Sequence, residues 1–160
     1  MQRIGLGGGC HWCTEAVFQA LAGIGSVAQG FIASEPPDDS FSEAVDVMFD
    51  PGALPLAALL EVHLRTHAST SNHKMRGKYR SAVYVHSEAQ GLAAAEVLAQ
   101  VQTGFDAPLV TRVLRFEAFK PSDVRFHNYA ERHIGGPFCT RYIDPKLDMM
   151  RKKYGNLIRA

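Results

Sequence analysis

Gly7-Gly8-Gly9-Cys10-His11-Trp12-Cys13 follows a short apolar segment, residues 2–7, where a first strand is expected to pass into a first helix. A helix N-terminus has unpaired N–H groups and a partial positive charge, and both favour a thiolate over a thiol. Because the thiolate is the nucleophilic form, this position predicts an activated Cys10. The glycines allow a tight turn and close approach of a substrate. Trp12 offers a flat apolar wall, and Cys13 lies near enough to trap an oxidised Cys10.

The composition is that of an ordinary globular protein. The chain has 160 residues, of which 46% are hydrophobic and 21% charged, so we expect one domain over residues 1–160. A formal net charge of +1 gives no electrostatic reason to expect nucleic acid or an acidic membrane as partner. No apolar run is long enough to span a membrane, and the N-terminal one is too short for a signal peptide. We therefore expect a cytoplasmic monomer without cofactor or metal.

Three cysteines are an odd number, which suits a working thiol better than a set of structural disulfides.

Hydrophobic periodicity predicts helices and strands that alternate along the chain. Strands are predicted over residues 2–7, 27–32, 43–49, 79–85 and 109–119, and helices over residues 14–22, 55–64, 87–100, part of 121–134 and 146–154. Ser87 is expected to cap the third helix. Because no Rossmann glycine fingerprint is present, the pattern favours a two-layer α/β sandwich over a doubly wound sheet. Within that class we expect a ferredoxin-like plait with additions.

Gly8-Gly9-Cys10-His11-Trp12 resembles the Gly-Cys-Phe-Trp motif of the methionine sulfoxide reductase A family. Five further stretches resemble the same family, and they follow in its order along almost the whole chain. They are Gly30-Phe31, Glu43-Ala44-Val45 with Phe49-Asp50-Pro51, the segment 59–67, Tyr79-Arg80-Ser81-Ala82-Val83-Tyr84 and Phe126-His127-Asn128-Tyr129. The cysteine motif and the Tyr-Arg-Ser strand are the specific parts of this match.

The resemblance implies thiol-dependent reduction of methionine S-sulfoxide, either free or within peptides. Cys10 would be the nucleophile, and Glu43 the acid that protonates the departing oxygen. Burial among Phe31, Trp12 and Tyr79 would keep Glu43 neutral. Tyr79 would donate a hydrogen bond to the same oxygen, and Trp12 would hold the methyl group. The other substrate-binding side chains implied are His11, Phe31 and His127.

Attack on the sulfoxide would leave Cys10 as a sulfenic acid, which condenses with a second thiol to form a disulfide. Cys13 lies one helical turn away and could react without loop movement. Cys139 follows a hinge, Gly135-Gly136-Pro137, and the resemblance implies a C-terminal resolving cysteine. Cys13 is preferred and Cys139 stays open. A dithiol such as thioredoxin would then restore the enzyme by exchange.

Four departures from the family pattern are present: His11 replaces a phenylalanine, Phe31 a tyrosine and Lys74 an aspartate, and Phe41-Ser42 stands where a histidine precedes the glutamate. A weakened family member that binds methionine-rich partners is therefore one alternative. A thioredoxin-like Cys-x-x-Cys oxidoreductase is another, although nine residues give little sheet before the motif. A zinc module of Cys10, His11, Cys13 and Cys139 is the third, and adjacent ligands make it awkward.

Overall fold

Six strands form one mixed sheet in the computed structural model, which describes residues 1–159. The strands are β1 (Gln2–Gly7), β2 (Ile24–Ala33), β3 (Ser42–Phe49), β4 (Ala82–Val85), β5 (Arg112–Arg115) and β6 (Ala118–Pro121). The helices are α1 (His11–Gln19), α2 (Leu56–Arg65), α3 (Glu88–Gln102), α4 (Tyr129–Arg132) and α5 (Asp144–Lys153). Short 3-10 turns cover Lys74–Gly77, Val124–Phe126 and Gly155–Leu157, and a π-helical turn covers Cys139–Ile143.

The strand order is β5-β4-β1-β3-β2-β6, and its four central strands are antiparallel to one another. With α1 and α2 as the crossovers, these strands make the β-α-β-β-α-β order of a ferredoxin-like plait, as the sequence predicted. Two additions extend it. Helix α3 leads into β5, which pairs in parallel with β4, and β6 pairs antiparallel with β2.

Alternating side chains divide the apolar residues between the two faces of the sheet. One face packs against α1, α2, α3 and α5, and its fully buried strand residues include Ile4, Leu6 and Val47. The other face forms a smaller cluster around Tyr84 and Ile32. The helical layer on the first face confirms the two-layer sandwich.

The strand predicted over residues 109–119 is in fact two strands at opposite edges of the sheet. Only Phe116 and Glu117 separate β5 from β6, and their N–H groups donate to the carbonyls of Val85 and Ala33 at 2.9 and 3.1 Å. Because three peptide steps span at most about 10 Å, the two edges must lie close together. The sheet is therefore strongly curled around the Tyr84 cluster.

Two other predicted boundaries differ from the structure. The first helix begins at His11 instead of residue 14, because the Cys10 carbonyl already accepts the N–H groups of Cys13 and Thr14 at 3.1 and 3.2 Å. The strand predicted from residue 79 begins at Ala82, since the N–H of Arg80 donates to the Ser42 hydroxyl. Among residues 1–159, none of the helices combines the length and apolarity that crossing a membrane requires.

Candidate active site

Cys10 is the N-cap residue of α1 and is half-buried. A hydrogen bond from the Cys13 thiol lowers the pKa of Cys10, and the N–H groups of Trp12 and Cys13 act in the same direction. Burial and the nearby Glu43 oppose this shift, but the net effect is a lowered pKa. The structure therefore favours a thiolate at the position where the sequence predicted one.

Cys13 and Cys139 lie in the same apolar cluster as Cys10, together with Ala16 and Ile143. The hydrogen bond to Cys10 and burial raise the pKa of Cys13. Burial also raises the pKa of Cys139, which is 2% exposed. All three cysteines are reduced. Cys139 begins the turn that leads into α5, so it is packed against Cys13 rather than carried on a loose tail.

Glu43 lies on β3, is 7% exposed, and faces nitrogen atoms with both carboxyl oxygens. Its Oε1 lies 3.3 Å from the backbone nitrogen of His11 and 3.4 Å from the ring atom Nε2 of the same residue. Its Oε2 lies 3.6 Å from the ammonium nitrogen of Lys78. Of the three rings expected around Glu43, Trp12 lies outside this group, and the groups that face the carboxyl oxygens are an imidazole and an ammonium group.

Phe31 and Tyr79 complete the surroundings of Glu43 and Cys10. Phe31 is the cross-strand partner of Glu43 on β2, and its ring meets the edge of the His11 ring with the centroids 5.1 Å apart. The ammonium nitrogen of Lys78 lies over the Tyr79 ring, 5.1 Å from the ring centroid. Tyr79 also lines a cavity beside Cys10.

Trp12 belongs to an aromatic stack outside the Glu43 group. Its ring is nearly parallel to that of Tyr129 at a centroid distance of 4.2 Å. Phe126 and Phe138 approach it at 5.1 Å each. In the part of the chain that the structure describes, the buried indole Nε1 has no hydrogen-bond partner. The wall that we expected Trp12 to form alone is thus an assembly of four rings.

Glu15 holds this stack in place, and the sequence reasoning missed it. The side chain is 2% exposed, and its two carboxylate oxygens accept the N–H groups of Asn128 and Tyr129 at 3.0 Å each. Asn128 adopts a left-handed conformation at φ 57°, and its side-chain oxygen accepts from Gln19. The only available signal was a glutamate amid the apolar residues of α1.

A cavity of about 520 Å³ opens beside the thiols. Its lining includes Cys10, Cys13 and Tyr79, whereas Glu43, Trp12, Phe31 and His127 are not part of it. The further lining side chains that bear on the chemistry are His63, His67, His73, Tyr142 and Lys146. The predicted site residues thus fall into three neighbouring groups around Cys10: the thiol cavity, the Glu43 group and the aromatic stack.

Two histidines, His63 buried and His67 half-buried, form one wall of the cavity, whereas the sequence suggested only a solvated helix end and loop for them. His67 donates through Nδ1 to the carbonyl of His63 at 2.6 Å, and its Nε2 accepts from the Ser81 hydroxyl at 2.8 Å. Burial lowers the pKa of His67 to about 4 and that of His63 well below its usual range. Both rings are therefore neutral at neutral pH.

Three further residues bear on the predictions. His127 donates from Nε2 to the carbonyl of Ser122 at 3.0 Å, so its ring is bound to its own loop. Lys74 is exposed at the start of the 3-10 turn. Arg76, which the sequence reasoning missed, donates to the carbonyls of Gly8 and Tyr79 at 2.8 Å each and so ties the histidine loop to the glycine turn.

Within residues 1–159, no group of three or more His, Cys, Asp and Glu side chains is placed to hold a metal ion. The zinc-module alternative therefore has no ligand set in the described part of the chain.

A ferredoxin-like sheet with three thiols gathered at a helix N-terminus defines a thiol-based redox protein. The sequence model of the peptide methionine sulfoxide reductase family matches residues 2–157, which is nearly the whole chain. The chain belongs to that family.

A relative supports this assignment, and solved structures share the fold. The peptide methionine sulfoxide reductase MsrA of Thermus thermophilus is 34% identical, and the match covers 96% of both chains. Mxr1 of Saccharomyces cerevisiae in its reduced form has a TM-score of 0.72 at 21% identity, over 84% of this chain and 87% of that one. Mxr1 in complex with Trx2 matches with a TM-score of 0.60 at 22% identity, over 81% of this chain and 84% of that one. At these identities the two structures show the fold alone.

Proposed function

We propose that Cys10 reduces methionine sulfoxide, with preference for the S epimer at sulfur, by direct attack of its thiolate. The family assignment supplies the reaction. The observation that carries the assignment of Cys10 is its lowered pKa at the N-terminus of α1, with Glu43 and His11 within reach of the same turn. This combination supports a nucleophile and a proton source that act at the same turn.

The first step takes oxygen from the substrate. The Cys10 thiolate attacks the sulfoxide sulfur and one proton joins the oxygen; the sulfur–oxygen bond of the substrate and the transient bond between the two sulfurs then break as the hydroxyl passes to the Cys10 sulfur. The products are a Cys10 sulfenic acid and the thioether methionine. Glu43 gives the proton, because an unprotonated oxygen is a poor leaving group. Tyr79 supports the same oxygen by a hydrogen bond, and the aromatic stack around Trp12 receives the methyl group.

The second step forms a disulfide within the chain. The Cys13 sulfur attacks the Cys10 sulfur, water leaves, and a Cys10–Cys13 disulfide results. Their hydrogen bond supports this pairing without loop movement. Cys139, packed against Cys13, is the alternative resolving thiol or a third thiol that receives the disulfide. A thioredoxin-type dithiol then reduces it by exchange. The complex of the relative Mxr1 with Trx2 supports such a reductant.

The proposed unit is one domain acting as a monomer, since every group named above comes from one chain. Recycling by a dithiol supports a reducing compartment such as the cytoplasm.

Turnover of the two epimers of methionine sulfoxide with dithiothreitol tests this mechanism. Wild type should reduce the S epimer, whereas Cys10→Ser should keep its fold and lose essentially all turnover. Substantial activity in Cys10→Ser would refute Cys10 as the nucleophile. Alkylation and peptide mapping of substrate-oxidised enzyme should show a Cys10–Cys13 disulfide. A Cys10–Cys139 disulfide with freely alkylated Cys13 would instead assign the resolving role to Cys139.

The Cys10–Cys13 pair also favours one second candidate, a thiol–disulfide oxidoreductase. Reduction of insulin disulfides separates the two functions. We expect insulin reduction to be negligible beside sulfoxide turnover, and the reverse result would favour the second function.

A further inference from the structure

His11 has one ring nitrogen whose proton is fixed by its partner. Its Nδ1 lies 2.7 Å from the backbone carbonyl oxygen of Gly30. A carbonyl oxygen can only accept a hydrogen bond, so Nδ1 must carry a hydrogen. The ring is 5% exposed and is held on its other side by Phe31. The orientation of His11 is therefore set, and only Nε2 can gain or lose a proton.

That second nitrogen faces the acid that the reaction needs. Nε2 lies 3.4 Å from Oε1 of Glu43, and the same oxygen accepts the backbone N–H of His11 at 3.3 Å. Two arrangements are compatible with this contact: Nε2–H facing a carboxylate, or a bare Nε2 facing a protonated carboxyl. In both arrangements one proton lies between the two residues.

Other polar and charged groups also face the pair. Lys78 faces Oε2 of Glu43 at 3.6 Å, and Tyr79 lies against Lys78. Cys10 adjoins His11 at the start of α1, whereas β2 contributes only the Gly30 carbonyl and the Phe31 ring. An ammonium group and a backbone N–H both stabilise a carboxylate, so the contacts of Glu43 suit a carboxyl that passes on the proton it shares with Nε2.

We propose that His11 and Glu43 together store the one proton that sulfoxide reduction consumes, with His11 supplying it through Glu43. This inference rests on the function proposed above. Because His11 acts through Glu43, it is a positioning and proton-supplying residue rather than one that touches the substrate. The step needs no outside acid.

The proton balance closes over the cycle. At rest, Cys10 is a thiolate and the pair holds one proton. When the thiolate reacts, that single proton passes through Glu43 to the substrate oxygen, which leaves Nε2 of His11 without a hydrogen and Glu43 as a carboxylate. Disulfide formation releases water and changes no proton count. Reduction of the disulfide by a dithiol regenerates the Cys10 thiol, whose proton passes back to the pair.

Measuring kcat and KM across pH 5.5–9 for wild type, His11→Gln and Glu43→Gln tests the proposal. Glutamine at position 11 can still donate a hydrogen bond but has no transferable proton. We expect kcat of His11→Gln to approach wild type at the acid end and to fall by about ten- to hundred-fold at the alkaline end, with little change in KM. Glu43→Gln should lose about 10²–10⁴-fold at every pH. His86→Gln, outside the site, is the matched control and should follow wild type.

A constant ratio of kcat between His11→Gln and wild type across this pH range would overturn the proposal, because a purely structural role does not depend on protons. A second measurement decides the proton arrangement even if no sulfoxide is turned over. In ¹⁵N NMR of the histidine rings, assigned by difference from His11→Gln, Nδ1 should carry hydrogen throughout and the Nε2 signal should move on Glu43→Gln. An Nε2 chemical shift that is unchanged in Glu43→Gln would refute the shared proton. Absence of sulfoxide turnover by the wild-type protein would instead refute the proposed function.

Discussion

Glu15→Ala should be the most damaging single change outside the cysteines. The carboxylate is buried and accepts two backbone N–H groups, those of Asn128 and Tyr129, at 3.0 Å each. A hydrogen bond to a charged group contributes about 1.5–3 kcal/mol, so the loss of both should lower the free energy of unfolding by about 3–6 kcal/mol. At this chain length, each kcal/mol corresponds to about 2–4 °C in Tm, which predicts a fall of about 6–24 °C.

Glu15→Gln separates the hydrogen bonds from the packing of the side chain. The amide keeps one accepting oxygen but turns an NH₂ group toward the second N–H, so about half of the effect should remain. Glu131→Gln is the matched control, because Glu131 is exposed on α4 and surface changes stay within about ±0.5 kcal/mol. Thermal unfolding followed by circular dichroism measures all three variants.

The same substitution should reach the active site. Tyr129 stacks on Trp12 only while its backbone is held, so Glu15→Gln should raise KM for methionine sulfoxide more than it lowers kcat. A Tm for Glu15→Ala within 1–2 °C of the Glu131→Gln control would refute the reasoning, because two part-buried N–H groups should not lose a buried charged acceptor at so small a cost.

Three further changes test the thiols and the cavity wall. Cys13→Ala should raise the pKa of Cys10, because the hydrogen bond from Cys13 is the main cause of its lowered pKa. Alkylation of Cys10 by iodoacetamide at neutral pH should therefore be slower in the variant. An unchanged rate would contradict this. Gly8→Ala would place a methyl group 2.6 Å from Nε2 of His67 and should cost about 1–3 kcal/mol by urea unfolding, whereas Gly9→Ala, with open space around it, should change little. Burial lowers the pKa of His67 from 6.5 to about 4, so the unfolded chain binds the proton more readily between these values. Stability should therefore fall as pH drops from about 6.5 to about 4, and less steeply in His67→Gln.

Elements of the fold could be predicted from the sequence where the local residue pattern and the tertiary contacts favour the same structure. The strand at residues 2–7, the Ser87 cap and the order of the central elements follow from periodicity and capping chemistry alone, and the structure confirms them. The segment 109–119 could not be resolved in this way. Its alternation is continuous across Phe116 and Glu117, and only the curl of the sheet, a tertiary property, brings both edges within reach of one short segment.

The residues of the site likewise divide into those that the local sequence predicts and those whose contacts come from distant segments. Cys10 was predictable because a helix N-terminus acts on its own first turn. The contacts of Glu15, Lys78 and Arg76 were not, because each side chain meets backbone or charge contributed by a distant segment, and a single charged residue carries no periodic signal. Trp12 shows the intermediate case: its place beside the nucleophile followed from the sequence, but its stacking partners arrive from the chain beyond β6.

The departures from the family pattern at His11 and Phe31 have a common physical explanation. The family resemblance implies phenylalanine at the first position and tyrosine at the second, whereas this chain has histidine and phenylalanine. The two rings touch edge to face at 5.1 Å, so they share one small volume beside Glu43. Both pairs contain one polar ring and one apolar ring. In this chain the polar ring is at position 11 on α1, whereas the family resemblance implies a polar ring at position 31 on β2. Because His11 also lies on the nucleophile's own helix, its hydrogen bonds to Gly30 and Glu43 join that helix to β2 and to β3, the strand that carries the acid. A polar ring at position 11 therefore couples the orientation of Cys10 to the proton supply. A tyrosine hydroxyl at position 31 on β2 could not do this.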